Sequence, residues 1–193
     1  MLQLAEVLIR EVAAIGHGDG VRLTLMCDVL RYLARYPEQY HHPFEHAALW
    51  RLADRGLLAR AVAEALDFEQ RALRYRGAGL LEQIQAARAG APLPRRTMVA
   101  ATDQYAVALR EHVDHEERVL LPLLGEYFVP EDWNEIARAV APGIGRGDAA
   151  RVAGYFRRLL ASIADRTACG CTTSAEGFKQ SRRLQELRPE VRS

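Results

Sequence analysis

The sequence predicts an all-α protein: an antiparallel, up-down four-helix bundle with an extra C-terminal helix and tail. Two observations support this fold class. Strong helix formers dominate the composition, and aromatic residues make up only 7% of the chain. Apolar residues recur at spacings of three and four, and no segment shows the alternation that is typical of a strand. Four substantial helices joined by short turns must bury their apolar faces against each other, which favours a bundle.

Three helical stretches are predicted in the first part of the chain. The glycine-rich segment 16–20 ends the first stretch, and Pro37 interrupts or restarts the second because proline cannot donate a hydrogen bond inside a helix. Arg55 and Gly56 permit a turn after the third. The predicted helical stretches of this part are 4–15, 21–36 and 37–54.

The second part of the chain contains longer helices. Gly77 and Gly79 are weak points in the first of them, Pro122 strains the second, and Pro130 is well suited to the first position of the third. The segments 90–94 and 141–148 read as loops. The predicted helices of this part are 57–89, 95–127, 130–140 and 149–166.

These elements suggest a simple domain organisation. Residues 1–140 form the bundle, residues 141–166 add a helix that packs on it, and residues 167–193 form a tail without apolar periodicity. The length of 193 residues fits one domain with such a tail.

Charge and composition exclude several classes of function. The chain has 26 Lys and Arg against 25 Asp and Glu, a net charge of +1, so no overall field attracts nucleic acid or lipid. No apolar run approaches the ~20 residues that span a bilayer. The N-terminal segment lacks the pattern of a secretory signal, and three cysteines form no disulfide framework. We therefore expect a cytoplasmic protein that binds neither nucleic acid nor membrane.

Two segments carry residues suited to chemistry. Each contains the spacing His-x-x-x-Glu, formed by His41 with Glu45 and by His112 with Glu116. Residues four apart lie on one face of a helix, and both pairs are offset by the same 71 residues (112 − 41 and 116 − 45). Imidazole and carboxylate together suit iron, manganese or zinc. Two such pairs predict a metal site in the bundle core, and solvated ion pairs are the alternative.

The segments RYPEQYHHPFEHAALW and EHVDHEERVLLPLL, with the Asp-Trp dipeptide that follows, resemble the hemerythrin-like HHE cation-binding family. The resemblance implies a four-helix bundle that holds two non-haem irons and binds or senses dioxygen or other redox species. It also implies that His41 and His112 are terminal ligands and that Glu45 and Glu116 are bridging carboxylates.

The chain departs from the family pattern at two positions. Gln70 stands where the family has a histidine on the third helix, and the histidine of the first helix is missing. Subtracting the 71-residue offset from Gln70 gives −1, just before Met1, so we expect that the sequence starts late or that the first turns of this helix are lost. Gln70 and His115 are the two further candidate metal ligands. His42 and His46 are interpreted as surface residues.

The sequence supports two functions. The first is a degenerate site for non-haem iron, mononuclear or dinuclear, or for another divalent metal. This site would sense or handle oxygen, nitric oxide or a redox signal, with a small diatomic molecule or redox species as its partner. We expect no enzyme, although open metal positions could permit oxidative chemistry. The alternative is a metal-free helical interaction or regulatory module. Its incomplete first helix would expose an apolar groove and favour a homodimer.

Overall fold

The computed structural model describes residues 1–14, 22–140 and 149–168, and every regular element in these ranges is helical. The prediction of an all-α protein is confirmed. A π-helical segment, Glu116–Leu120, joins two of the α-helices. No helix within the described ranges is both long and apolar enough to cross a bilayer. The helices are α1 (Leu2–Ala14), α2 (Leu23–Tyr40), α3 (His42–Asp54), α4 (Arg60–Arg88), α5 (Arg95–His115), α6 (Leu121–Tyr127), α7 (Pro130–Val140) and α8 (Ala149–Ala168).

The helices pack in a connected set. Helix α1 contacts α2 and α5, α2 contacts α4, and α4 contacts α5. Helix α3 packs on α4 and α7, and α8 packs on α2. The glycine-rich segment 16–20, the predicted loop 141–148 and the tail from residue 169 lie outside the described residues.

Buried apolar side chains form two separate clusters. The large cluster draws on α1, α2, α5, α8 and the C-terminal half of α4, and it includes Leu8 and Ile84. The small cluster draws on α3, α6, α7, the π-helical segment and the N-terminal part of α4, and it includes Leu52 and Leu120. Three stretches of chain, α2–α3, α4 and α5–α6, therefore pass from one cluster to the other.

Pro37 lies inside α2, so the predicted interruption at this residue is wrong. The helix continues to Tyr40 and breaks at His41, whose φ of −110° and ψ of −62° depart from regular helix. The carbonyl of Pro37 still accepts the N–H of His41 at 2.8 Å, and the proline ring is fully buried, so packing offsets its lost hydrogen bond. Pro43 then sits in the first turn of α3, where a missing N–H costs nothing.

The segment 95–127 is helical, and the predicted strain near Pro122 coincides with a change from α-helix to π-helix just before this residue. The five residues Glu116–Leu120 are wound as a π-helix immediately before the turn that holds Pro122. Proline cannot donate to the carbonyl four residues earlier, and its ring crowds that carbonyl, so a locally wider turn relieves the conflict. This widening begins at Glu116, one of the predicted metal ligands.

A buried carboxylate joins α3 to α7. Asp132 is 2% exposed, and it accepts hydrogen bonds from Arg51 Nε at 2.9 Å, from Arg55 Nη1 at 3.1 Å and from the backbone N–H of Val129 at 3.1 Å. The Arg55 guanidinium, aided by Val129 and Arg51, outweighs the opposing effect of burial and holds the pKa of Asp132 far below its usual range. The bond from Val129 also satisfies a free N–H at the start of α7.

Helix α8 is held against α2 by aromatic and charged contacts. The ring of Phe156 meets those of Tyr32 and Tyr36 edge-on, with centroids 5.8 Å and 5.3 Å apart. Arg166 Nη1 lies 2.6 Å from Asp28 Oδ2. Edge-to-face geometry of this kind stabilises aromatic packing beyond the area that it buries.

Candidate metal centre

The predicted site residues lie where the chain passes between the two apolar clusters. Each of the three crossing stretches places polar side chains at that level. We call this set the polar layer, and its residues are His41 and Glu45 at the α2–α3 junction, Glu69 and Gln70 in α4, and His112 and Glu116 at the junction of α5 with the π-helical segment.

Three of the predicted ligands converge in the polar layer. His41 Nε2 lies 2.8 Å from Glu45 Oε1. One ligand atom from each of His41, Glu45 and Glu116 lies within 4.8 Å of the other two. The α2–α3 junction and the end of α5, separated by 71 residues in sequence (116 − 45), therefore direct nitrogen and oxygen ligands to one spot. This is a donor set suited to a borderline divalent cation.

His112 contacts Glu116, which is one of the three converging ligands. It is 2% exposed, and its Nε2 lies 2.9 Å from Glu116 Oε1. The two atoms form an ion pair when His112 is protonated, and within the described residues neither His112 Nε2 nor Glu45 Oε2 has a hydrogen bond of regular geometry. Buried polar atoms left without partners are costly. A cation in the polar layer would satisfy both atoms, so the residues present fit a bound metal ion.

Glu69 connects the outer side of His112 to His115. Its Oε2 lies 3.3 Å from His112 Nδ1, and its Oε1 lies 3.0 Å from His115 Nδ1. His115 therefore contacts Glu69 and lies outside the three converging ligands. In many metal sites a carboxylate accepts the N–H of the histidine ring nitrogen that does not bind the metal, and so fixes the orientation of the ring. Sequence reasoning missed Glu69, although it directly precedes Gln70 at the position compared with the family's third-helix histidine.

Gln70 borders a small cavity within the polar layer. The cavity has a volume of about 10 Å³, and Glu45, His112 and Glu116 also line it. This volume is about what one water molecule needs. Gln70 therefore faces the space beside the ligands, and its amide can hydrogen-bond an occupant of that space.

The carboxylates of the polar layer control the protonation of its imidazoles. Burial alone would lower the pKa of His41, but the hydrogen bond and charge of Glu45, with the charge of Glu116, raise it. Burial is likewise outweighed at His112, where Glu116 is the main cause of the raised pKa. Burial would raise the pKa of Glu45, but His41 lowers it. A metal ion must displace protons from these imidazoles, so binding releases protons.

The two histidines interpreted as surface residues lie beside the polar layer. His46 has 52% of its side chain exposed, and its Nδ1 lies 3.3 Å from Asp67 Oδ1. His42 is partly buried in the first turn of α3. Neither belongs to the three converging ligands.

The described chain is thus an all-helical protein in which two His-x-x-x-Glu pairs lie close together between the two apolar clusters. The family model for the hemerythrin HHE cation binding domain matches residues 1–124. This match spans more than half of the chain, so the chain belongs to that family, whose domains bind metal cations. No curated protein and no solved structure matches the chain.

Proposed function

We propose that this chain binds non-haem iron in its polar layer and that the bound iron senses or handles oxygen, nitric oxide or a redox signal. The observation that carries the proposal is the convergence of His41, Glu45 and Glu116 from two separate stretches of chain. The unsatisfied buried atoms of Glu45 and His112 support it. In this proposal α1, α2, α4 and α5 are the four helices of an up-down bundle, with α3 extending α2 and α6 extending α5.

Five residues of the polar layer take part in holding the ion. His41, Glu45 and Glu116 hold the ion, His112 completes the ligand set from the α5 side, and Glu69 orients His112. A bound iron would supply a redox-active centre with a position open to a small ligand, which imidazole and carboxylate groups alone do not offer. The proposed function is binding rather than turnover.

The proposal is tested by anaerobic titration of the purified protein with iron(II), followed by metal analysis. We expect the wild type to take up one iron per chain, because the converging ligands define one spot. Glu116→Gln removes a ligand charge while keeping the side-chain shape, and it should weaken binding by more than about tenfold. Glu117→Gln removes the same charge from the neighbouring, exposed position and should bind iron like the wild type.

Two outcomes would overturn the proposed metal site. One is a folded wild-type protein that takes up no iron after anaerobic loading, which would favour a metal-free interaction module. The other is equal iron affinity in Glu116→Gln and the wild type. Absorption spectra of the iron-loaded protein then test the sensing role. We expect them to change on addition of oxygen or nitric oxide, and unchanged spectra would contradict this role.

A further inference from the structure

The outer face of α4 carries apolar side chains that no other described helix covers. Phe68 and Tyr75 have the two largest exposed fractions, 66% and 82%, among the large hydrophobic residues of the described chain. They lie seven residues apart (75 − 68), which is about two helical turns, so both project from the same face. Large apolar groups that share one exposed face indicate a surface on which another molecule packs.

These two rings belong to a longer row with the spacing of a coiled coil. From residue 61 to residue 86 the row advances in alternating steps of four and three residues, and every position except Glu82 is alanine, glycine or aromatic. This alternation is the heptad repeat by which two helices pack side by side. No position of the row is buried, and the row is about 38 Å long. We call the row the outer seam, and its residues are Ala61, Ala65, Phe68, Ala72, Tyr75, Gly79, Glu82 and Ala86.

Both flanks of the outer seam are open. On one flank the side chains of Glu64 and Arg71 are 62% and 57% exposed, and on the other flank Arg76 and Gln83 are exposed as well. Helix α4 packs into the bundle through its opposite face, which buries leucines such as Leu73. A second helix therefore has room to approach the outer seam.

The sizes of the side chains favour an antiparallel pair of α4 helices. The first set of alternate positions, residues 65, 72, 79 and 86, holds only alanine and glycine, whereas the second set holds Phe68, Tyr75 and Glu82. In a parallel pair each set faces itself, so ring would meet ring and Glu82 would meet the same carboxylate of the other helix. In an antiparallel pair the two sets face each other, so each ring packs over a small residue.

The charges beside the outer seam also disfavour a parallel pair. In a parallel coiled coil the flanking residues that meet across the interface are five positions apart. Glu64 would then face Glu69 of the other helix, and Arg71 would face Arg76. Like charges in such contacts oppose association, and an antiparallel pair does not impose these contacts.

We propose that a second copy of this chain covers the outer seam, through antiparallel pairing of the two α4 helices about a two-fold axis. The occupant is a second copy because the outer seam is complementary to itself: it supplies both the rings and the small residues that receive them. Such a pairing uses the same surface on both partners and closes as a dimer. Each ring offers about 150–250 Å² of surface, so the four rings of a dimer supply much of the ~1,200 Å² that marks the lower end of specific interfaces. We therefore expect a dissociation constant in the micromolar range.

Sedimentation equilibrium of the full chain, from about 1 to 500 μM, tests the proposal. We expect a monomer–dimer equilibrium. Phe68→Glu and Tyr75→Glu each place a charge in the interface and should raise the dissociation constant at least about tenfold. Tyr155→Glu makes the same exchange at a 39% exposed ring of α8 and should dimerise like the wild type. Circular dichroism of each variant verifies that its helices are intact.

A spin label measures the orientation of the two helices. The label is attached at Ala61→Cys in a full chain that carries Cys169→Ser and Cys171→Ser, since the remaining Cys27 is buried. Antiparallel helices hold the two labels near opposite ends of the pair, about 30–50 Å apart, whereas parallel helices hold them within about 20 Å.

Three results would overturn the proposal. The first is a wild-type chain that stays monomeric over the whole concentration range, which is also the result expected if another segment of the same chain covers the outer seam. The second is a dimer that the two variants of the outer seam weaken no more than Tyr155→Glu does. The third is a short distance between the labels. None of these measurements needs a bound metal, so failure of the proposed iron site does not affect them.

Discussion

Glu69 connects His112 of the polar layer to His115, which lies outside it. Its two carboxylate oxygens contact the Nδ1 atoms of His112 and His115. A carboxylate acceptor at Nδ1 keeps the proton of a neutral imidazole on that nitrogen, which leaves the lone pair on Nε2. For His112 this is the nitrogen that points to Glu116 and has no hydrogen-bond partner within the described residues. Glu69 thus presents His112 in the form that binds a cation.

We predict that Glu69→Gln weakens iron(II) binding about 10- to 100-fold. An amide can donate to Nδ1 of His112 and so favour the wrong tautomer. The free energy of unfolding of the metal-free protein should change little, because the Glu69 side chain is 36% exposed. Iron titration and urea unfolding are the measurements, with the exposed Glu82→Gln in the same helix as the control. Iron affinity equal to that of the control would contradict the orienting role.

Helix α4 contributes side chains to both apolar clusters. It runs without interruption for 29 residues, although the sequence marks Gly77 and Gly79 as weak points. The structure shows that the two glycines have different surroundings. A Cβ added at Gly77 would lie 3.0 Å from Cε2 of Tyr105, whose ring is 3% exposed, whereas one added at Gly79 would meet no described atom within 4 Å. Gly77 is therefore required for close packing of α4 against α5.

We predict opposite effects on stability for two alanine substitutions in α4. Gly79→Ala should raise the free energy of unfolding by about 0.5–1 kcal/mol, because alanine loses less backbone entropy in a helix. Gly77→Ala gains the same amount but crowds the buried ring of Tyr105, and such overpacking costs about 1–3 kcal/mol, so this variant should be less stable than the wild type. Urea unfolding measures both. If both variants raise the free energy of unfolding, the Tyr105 ring can move aside at little cost, which would contradict the prediction for Gly77→Ala.

The sequence predicted the elements whose signals are local. Apolar spacing located the helices, and Pro130 marked the start of α7. The His-x-x-x-Glu spacing predicted four candidate ligands, and the structure brings His41, Glu45 and Glu116 together. Sequence reasoning failed where distant packing decides the outcome. Pro37 stays inside α2 because its ring is buried in the folded protein. Glu69 contacts His112 across 43 residues of sequence, and no local pattern encodes that meeting.

The buried carboxylate of Asp132 joins parts of the chain that are far apart in sequence. It binds Arg55, 77 residues earlier, together with Arg51, and so fixes the end of α3 to the start of α7. Its ionised form is the one that these arginines stabilise, which is why its pKa is so low in the folded state. In the unfolded chain an aspartate titrates near pH 4, about its unperturbed value.

We predict that Asp132→Asn lowers the stability of the protein near neutral pH and that the difference from the wild type shrinks in acid. A pKa lowered by folding contributes stability that is fully present above the unfolded value and is lost as the pH falls toward the folded value. The gap between variant and wild type should thus be constant above about pH 5 and decrease below about pH 4. Urea unfolding across this range measures it, and a gap independent of pH would contradict the role of the charge.

Because the apolar core is divided into two clusters, we expect the protein to unfold as two cooperative units. Helices α3, α6 and α7 bury their apolar side chains in the small cluster, and α1, α2, α5 and α8 bury theirs in the large one. The polar layer lies between the two clusters, and its charged side chains contribute little hydrophobic stabilisation. The smaller unit can therefore open and expose its amides to exchange while the larger one stays closed. We expect that a cation held by side chains from α3 and from α5 would couple the two units and make the smaller one open less often.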